Sequence, residues 1–150
     1  MTFAGRSAKA LRTKLQTSEI AILVEQLGVA YERLFLPIRI KGFTGRIDSQ
    51  PYIVVNRALH PRWARVVAFH ELGHIILHNQ LPDQFFISEY TFFPLGRLER
   101  EANEFAAEYS IPDEALAIHT DIRVIAAELN VPVELFQFKR LPEDHSCCVQ

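Results

Sequence analysis

Residues 61–78, PRWARVVAFHELGHIILH, constrain the fold more than any other stretch of the chain. Trp63, Val66, Val67, Phe69, Leu72, Ile75 and Ile76 recur at helical spacing and form a stripe broad enough to bury most of a helix. Pro61 suits the first helical position, where a missing N–H costs nothing. His70, Glu71 and His74 stand inside this apolar stretch, and burying three such groups is expensive without compensation. The chain must therefore bury a helix and find a use for two imidazoles and a carboxylate.

Two histidines at i and i+4 share one helical face and can converge on one ion. Zinc takes neutral nitrogen ligands at about 2.0–2.1 Å and, in catalytic sites, keeps one position for water. Glu71 lies beside that face, placed to accept a proton as metal-activated water attacks a carbonyl. Mn²⁺ and Fe²⁺ accept the same donors. A third protein ligand is needed. His78 continues the series, but at 1.5 Å per residue it stands about 12 Å from His70 along a straight helix. Position 77 is Leu, so the glycine that turns the chain back in an H-E-x-x-H-x-x-G-x-x-H site is missing. His78 therefore reads as an outer-shell or helix-end group. Glu99 is the better third ligand, completing a His₂Glu set as in zinc hydrolases of the thermolysin type. Asn103, one turn further on, can hydrogen-bond the outer ring nitrogen of a ligating histidine. Glu101 points roughly 200° around the helix from Glu99, so both cannot face the ion. Structural zinc sites are usually closed and rich in cysteine, and this set contains none.

The rest of the chain reads as α+β. Spacings in 19–35 predict an amphipathic helix interrupted near Gly28. Residues 37–40 predict a short strand, Gly42 and Gly45 a turn, and 51–56 (PYIVVN) a second strand. Residues 79–96 read as a loop with extended structure at 85–87, and Phe85, Phe86, Phe92 and Phe93 there serve core or cleft. Helices are predicted over 98–110, 113–119, 121–130 and 132–141. Residues 125–141 could be read as a helix-turn-helix, but residues 121–150 hold 3 basic and 5 acidic side chains, so packing or protein contact is favoured over DNA.

The sequence's 150 residues suit one domain. The longest run without Asp, Glu, Lys or Arg is the eleven residues 72–82, against the roughly 20 a membrane helix requires. No secretory pattern is visible, and the only cysteines, Cys147 and Cys148, are adjacent in a polar tail; both point to a reducing cytoplasm. Residues 1–75 carry 11 basic and 5 acidic side chains, residues 76–150 carry 5 and 13. The basic half lacks the interleaved aromatics of a nucleic-acid surface.

The segments 68–78 (AFHELGHIILH) and 98–114 (LEREANEFAAEYSIPDE) resemble the two signatures of the ImmA/IrrE family of zinc metallopeptidases. The strand PYIVVN and the stretch 122–141 (IRVIAAELNVPVELFQFKRL) are similar to that family more loosely. The resemblance implies a gluzincin-like site with His70, His74 and Glu99 as zinc ligands and Glu71 as catalytic acid/base. With the basic segment 1–18 and the polar tail 142–150 read from the residues themselves, it suggests a zincin-like core (19–112) and C-terminal helices (113–141) within one domain. It also implies a cytoplasmic endopeptidase whose protein substrate is a helix-turn-helix transcriptional repressor. The alternative is a zinc-dependent binding module that inactivates a repressor without cutting it. Tyr109-Ser110-Ile111 stand before Pro112 where the family usually has two leucines and a methionine. For the group that would stabilise an oxyanion, Tyr90, Arg97, Tyr109 and His119 are the candidates.

Overall fold

The structure is a computed structural model, and it describes residues 2–78, 86–89, 96–118 and 120–140. Four strands form a mixed sheet: β1 (Ala30–Leu34), β2 (Ile40–Ile47), β3 (Gln50–Asn56) and β4 (Phe86–Glu89), in the order β1-β3-β2-β4. β2 and β3 make a hairpin whose two turn residues, Asp48 and Ser49, both take positive φ, at 48° and 67°. This backbone matches the twist of the strands it joins. β1 runs parallel to β3, and β4 antiparallel to β2. The helix α3 (Pro61–Leu77) packs on β2, β3 and β4, and α4 (Arg97–Ser110) packs on α3. The α+β expectation holds, with α3 beginning at Pro61 and His60 Nδ1 accepting from the Arg62 N–H at its N-cap.

Several local expectations are overturned. The helix predicted over 19–35 stops at α2 (Ile20–Leu27), because Gly28 takes a left-handed φ of 68° and turns the chain. Residues 30–34 then form β1, alternating exposed and half-buried as a strand should. The strand expected at 37–40 is instead a turn into β2, and Gly42 and Gly45 sit inside β2. The buried Asn56 explains the shift. Its Nδ2 donates to the carbonyls of Ile40 (2.8 Å), Leu36 (3.2 Å) and Pro37 (3.4 Å), and its Oδ1 accepts from Ala58 N–H. Those carbonyls are gathered on one side chain and so are not spent on a ladder. Gly42 is needed where it is: a Cβ there would stand 2.8 Å from Val67 Cγ1 of α3 and 2.9 Å from the Val54 carbonyl.

The basic segment 1–18 contains a helix the sequence reading did not predict, α1 (Phe3–Leu15), capped by Thr2 Oγ1 accepting from Gly5 N–H. Ala4, Gly5 and Ala8 are buried, and their small size lets α1 lie close against α4. At the other end, α5 (Asp113–Ile118) and α6 (Ile122–Leu129) fall where expected, but 132–141 yields only a 3₁₀ helix over Val133–Phe138. Leu135 and Phe136 are buried there.

A charged cluster ties these peripheral pieces together. Lys139 Nζ, fully buried, donates to Glu108 Oε2 and Asp113 Oδ1, each at 2.7 Å. Lys9 of α1 donates to the other Asp113 oxygen. Arg12 reaches the Tyr109 carbonyl, and the Tyr109 hydroxyl donates to the Thr17 carbonyl at 2.7 Å. Beneath them Tyr109 stacks on Phe69 of α3, ring centroids 4.8 Å apart.

Candidate metal centre

The second half of α3 and the first turns of α4 supply the predicted site residues. Their approach depends on small groups at the contact: a Cβ on Gly73 would stand 3.2 Å from Ala102 Cα and from Phe105 Cβ. With nothing there, α4 lies close enough for Glu99 to reach both imidazoles. Glu99 Oε2 is 3.0 Å from His70 Nε2, Glu99 Oε1 is 3.1 Å from His74 Nε2, and the two Nε2 atoms are 3.2 Å apart. Each residue offers one ligand atom to a group lying within 4.8 Å of one another, the arrangement that could hold a metal ion. Four tetrahedral ligands at about 2.0–2.1 Å from an ion stand roughly 3.3 Å from each other. The two imidazole nitrogens stand at about that spacing, and the Glu99 carboxylate closes the triangle by turning a different oxygen to each ring.

The surroundings act differently on each member. Burial disfavours charge on His74, which is 1% exposed, and its histidine neighbours add to this, so its pKa falls to about 4 and the ring is neutral at physiological pH. Burial also opposes charge on His70, but there the Glu99 hydrogen bond and the charges of Glu71 and Glu99 outweigh it and raise the pKa. Desolvation of Glu99 is likewise outweighed, by hydrogen bonds from both rings, which hold its carboxyl far below the usual range.

Glu71 is completely buried, and its Oε1 lies 3.4 Å from where a Cβ on Gly42 would be. The bare backbone of β2 therefore forms one wall of the Glu71 pocket. Asn103 Oδ1 is 2.7 Å from His70 Nδ1. His78 sits at the end of α3, with its Nδ1 3.0 Å from His74 Nδ1 and its Nε2 2.9 Å from Glu101 Oε2. Glu101 does not join the Glu99 triangle, but it reaches His74 through His78. Sequence spacing misses that contact because it crosses between helices; only the Arg97–Glu101 pair, 2.6 Å apart at i and i+4, has a local signature.

The candidates for an oxyanion-stabilising group fare unevenly. Tyr109 is spent on the Thr17 carbonyl, and at ten residues from Glu99 it stands about 15 Å away along α4. Arg97 is exposed and directed to Glu101. Tyr90 and His119 lie outside the described residues, as do Phe85, Phe92, Phe93, Cys147 and Cys148.

Comparisons with known proteins bear on the same two helices. The profile of the IrrE N-terminal-like domain, a peptidase family, matches residues 19–140 and so spans all of α3 and α4. Immunity region protein 2 of Bacillus phage phi105, itself described as uncharacterized, is 31% identical over 146 residues, covering 95% of this chain and 92% of the relative. No solved structure gives a significant match. No helix among the described residues is long and apolar enough to cross a membrane. With a match over most of its length, the chain belongs to the IrrE N-terminal-like domain family of peptidases.

Proposed function

We propose that the chain is a zinc-dependent endopeptidase of the cytoplasm, with His70, His74 and Glu99 as the metal ligands and Glu71 as the general base. The observation that carries this reading is a pair of imidazole nitrogens 3.2 Å apart facing a carboxylate that turns one oxygen to each, at 3.0 and 3.1 Å, beside a fully buried second carboxylate. Zinc, when bound, supplies Lewis acidity to water and to a scissile carbonyl. Glu71 takes a proton on its carboxylate and returns it to the leaving amine. The bare backbone at Gly42 leaves room for that carboxylate, whose Oε1 lies 3.4 Å from where a Cβ would stand. Asn103 orients His70 by accepting from its Nδ1–H. The substrate is a protein, and a helix-turn-helix repressor is the reading favoured by the family's character and by the phage immunity region relative.

The test pairs metal content with cleavage. Wild type and Glu71→Gln should each hold one zinc per chain by elemental mass spectrometry. Against a library of repressor-derived peptides, Glu71→Gln should cut at least about 10²-fold more slowly. Equal cleavage by the two proteins removes the peptidase mechanism; repressor inactivation that survives Glu71→Gln favours a binding module instead.

A further inference from the structure

β1 and β2 flank β3, so the residues that link them, 35–39, cross over the end of β3. Asn56, the last residue of β3 and fully buried, clamps that crossing by holding the carbonyls of Leu36, Pro37 and Ile40. The Arg57 N–H donates to the Leu34 carbonyl at 2.8 Å, and the Ile40 N–H to the Pro37 carbonyl at 2.9 Å. Although its backbone is held this firmly, the link turns apolar side chains to water: Phe35 is 75% exposed, Ile38 83%, and Leu34 is exposed as well. Apolar groups gathered in the open mark a contact surface. The charge there has one sign. Between Glu32 and Asp48 the chain carries Arg33, Arg39, Lys41 and, further along β2, Arg46, with no acid. The Arg57 guanidinium lies over the Phe35 ring, 5.6 Å from its centroid. Lys41 Nζ donates to the Ile38 carbonyl at 3.0 Å. The candidate site is at the same end of the sheet. Leu34 pairs with Asn56 and Gly42 with Val55, so β1 stands two strand spacings, about 10 Å, from the stretch of β2 that walls the Glu71 pocket.

We propose that this loop is a docking surface for an acidic, amphipathic segment of the protein substrate. Phe35 and Ile38 meet its apolar side, and Arg39 and Arg57 meet its carboxylates. That the docked protein is a substrate rests on the peptidase reading; the docking itself does not. Charge selects the occupant. A second copy docking loop to loop would set Arg39 and Arg57 against like charges, which costs binding. A second copy docking through the acidic half of the chain would make a head-to-tail contact, which propagates into a filament unless a ring closes. An anionic lipid surface matches the charges but leaves the neighbouring Glu71 pocket no chain to act on. An acidic protein segment satisfies the apolar tip and the bases together, and places the chain on either side of it near that pocket. Contacts this far from a scissile bond are made equally before and during reaction, so they act on KM rather than kcat.

The experiment uses the full chain and reads binding, not cleavage. Fluorescence anisotropy follows three labelled helical peptides of equal length. The first has leucines along one face and glutamates elsewhere, the second the same leucines with lysines, the third the same glutamates with serines for leucines. The first should bind, more tightly at low salt, and the other two at least about 10-fold more weakly. Phe35→Ser with Ile38→Ser should weaken the first peptide by about 10-fold or more, and so should Arg39→Glu with Arg57→Glu. All four side chains are exposed, so the thermal midpoint should not move. Ile118→Ser removes a comparably exposed side chain, 73% exposed, from the acidic half and should leave binding unchanged. Binding of the lysine peptide as tight as that of the glutamate peptide overturns the proposal, as does indifference to both double substitutions. Two other results overturn it by naming a different occupant. One is flotation with phosphatidylserine vesicles that depends on Phe35 and Ile38 when no peptide binds; the other is self-association, seen by sedimentation, that the same substitutions abolish. Failure of the peptidase reading looks different: wild type takes up no zinc and cuts nothing, while its peptide binding still follows Phe35 and Ile38.

Discussion

Glu99 and Glu108 stand near opposite ends of α4, and each anchors a cluster of ionisable side chains drawn from distant segments. Around Glu108 the charges close on themselves: two lysines, Lys9 and Lys139, face two carboxylates, Glu108 and Asp113. Around Glu99 they do not. Its partners are imidazoles, one of them held neutral by burial, and Glu71 adds a second carboxylate nearby. The first cluster is complete with residues of the chain alone. The second has donor atoms and negative charge enough for a cation that none of the described residues supplies. A buried ion cluster marks a functional site when its charge is left for something else to balance, and a structural one when it is not.

The sharpest way to break that contrast is to unbalance the closed cluster. Lys139→Met leaves Glu108 buried without its partner and should cost about 3–5 kcal/mol in denaturant unfolding. Adding Glu108→Leu should restore most of the loss. A single variant as stable as wild type would show that the cluster does not hold the ends of the chain together. The open cluster should respond to metal instead. Zinc at about 100 times its Kd should stabilise wild type by roughly 2.7 kcal/mol, and Glu99→Ala should abolish that gain in a thermal melt with and without chelator. A gain that survives Glu99→Ala would place the ion elsewhere. The smallest effect is in acid. Burial alone would raise the Asp113 pKa, but hydrogen bonds from Lys139 and Lys9 outweigh it and lower it. A carboxyl lowered on folding adds stability that is present above its unfolded value, about 3.9, and is lost as pH falls through the folded one. Wild type should therefore exceed Asp113→Asn in stability near neutrality, and the two should converge below about pH 4. A gap that is constant across this range would assign the role of Asp113 to its shape rather than its charge.

The clustering of His70, His74 and Glu99 was legible because its signals are local. His70 and His74 declare a shared face by spacing alone, and Glu99 and Asn103 repeat the pattern on the next long helix. What escaped depends on partners that spacing cannot name. Residues 30–34 carry apolar side chains compatible with a helical period, and only the left-handed Gly28 and the ladder with β3 make them a strand. Gly42 looks like a turn residue until Val67 and Glu71 are placed above it. The contact of His78 with Glu101 and that of Lys139 with Glu108 join residues 23 and 31 positions apart, where no periodicity reaches. α1 did leave a trace, in Thr2 followed by Ala4, Ala8, Leu11 and Leu15, but its basic side chains drew the reading toward charge.

Gly73 never touches the three donor atoms, yet it gauges the span between them. A methyl group at that position would have to push Ala102 and Phe105 away by a few tenths of an ångström, and Glu99 lies one turn from Ala102 on the same rigid helix. A few tenths of an ångström is also what separates carboxylate bonds to zinc, about 2.0–2.2 Å, from those to calcium, about 2.3–2.6 Å. Any ion held between these helices would meet a spacing set by an absent side chain, and Gly73→Ala is the substitution that would rescale it.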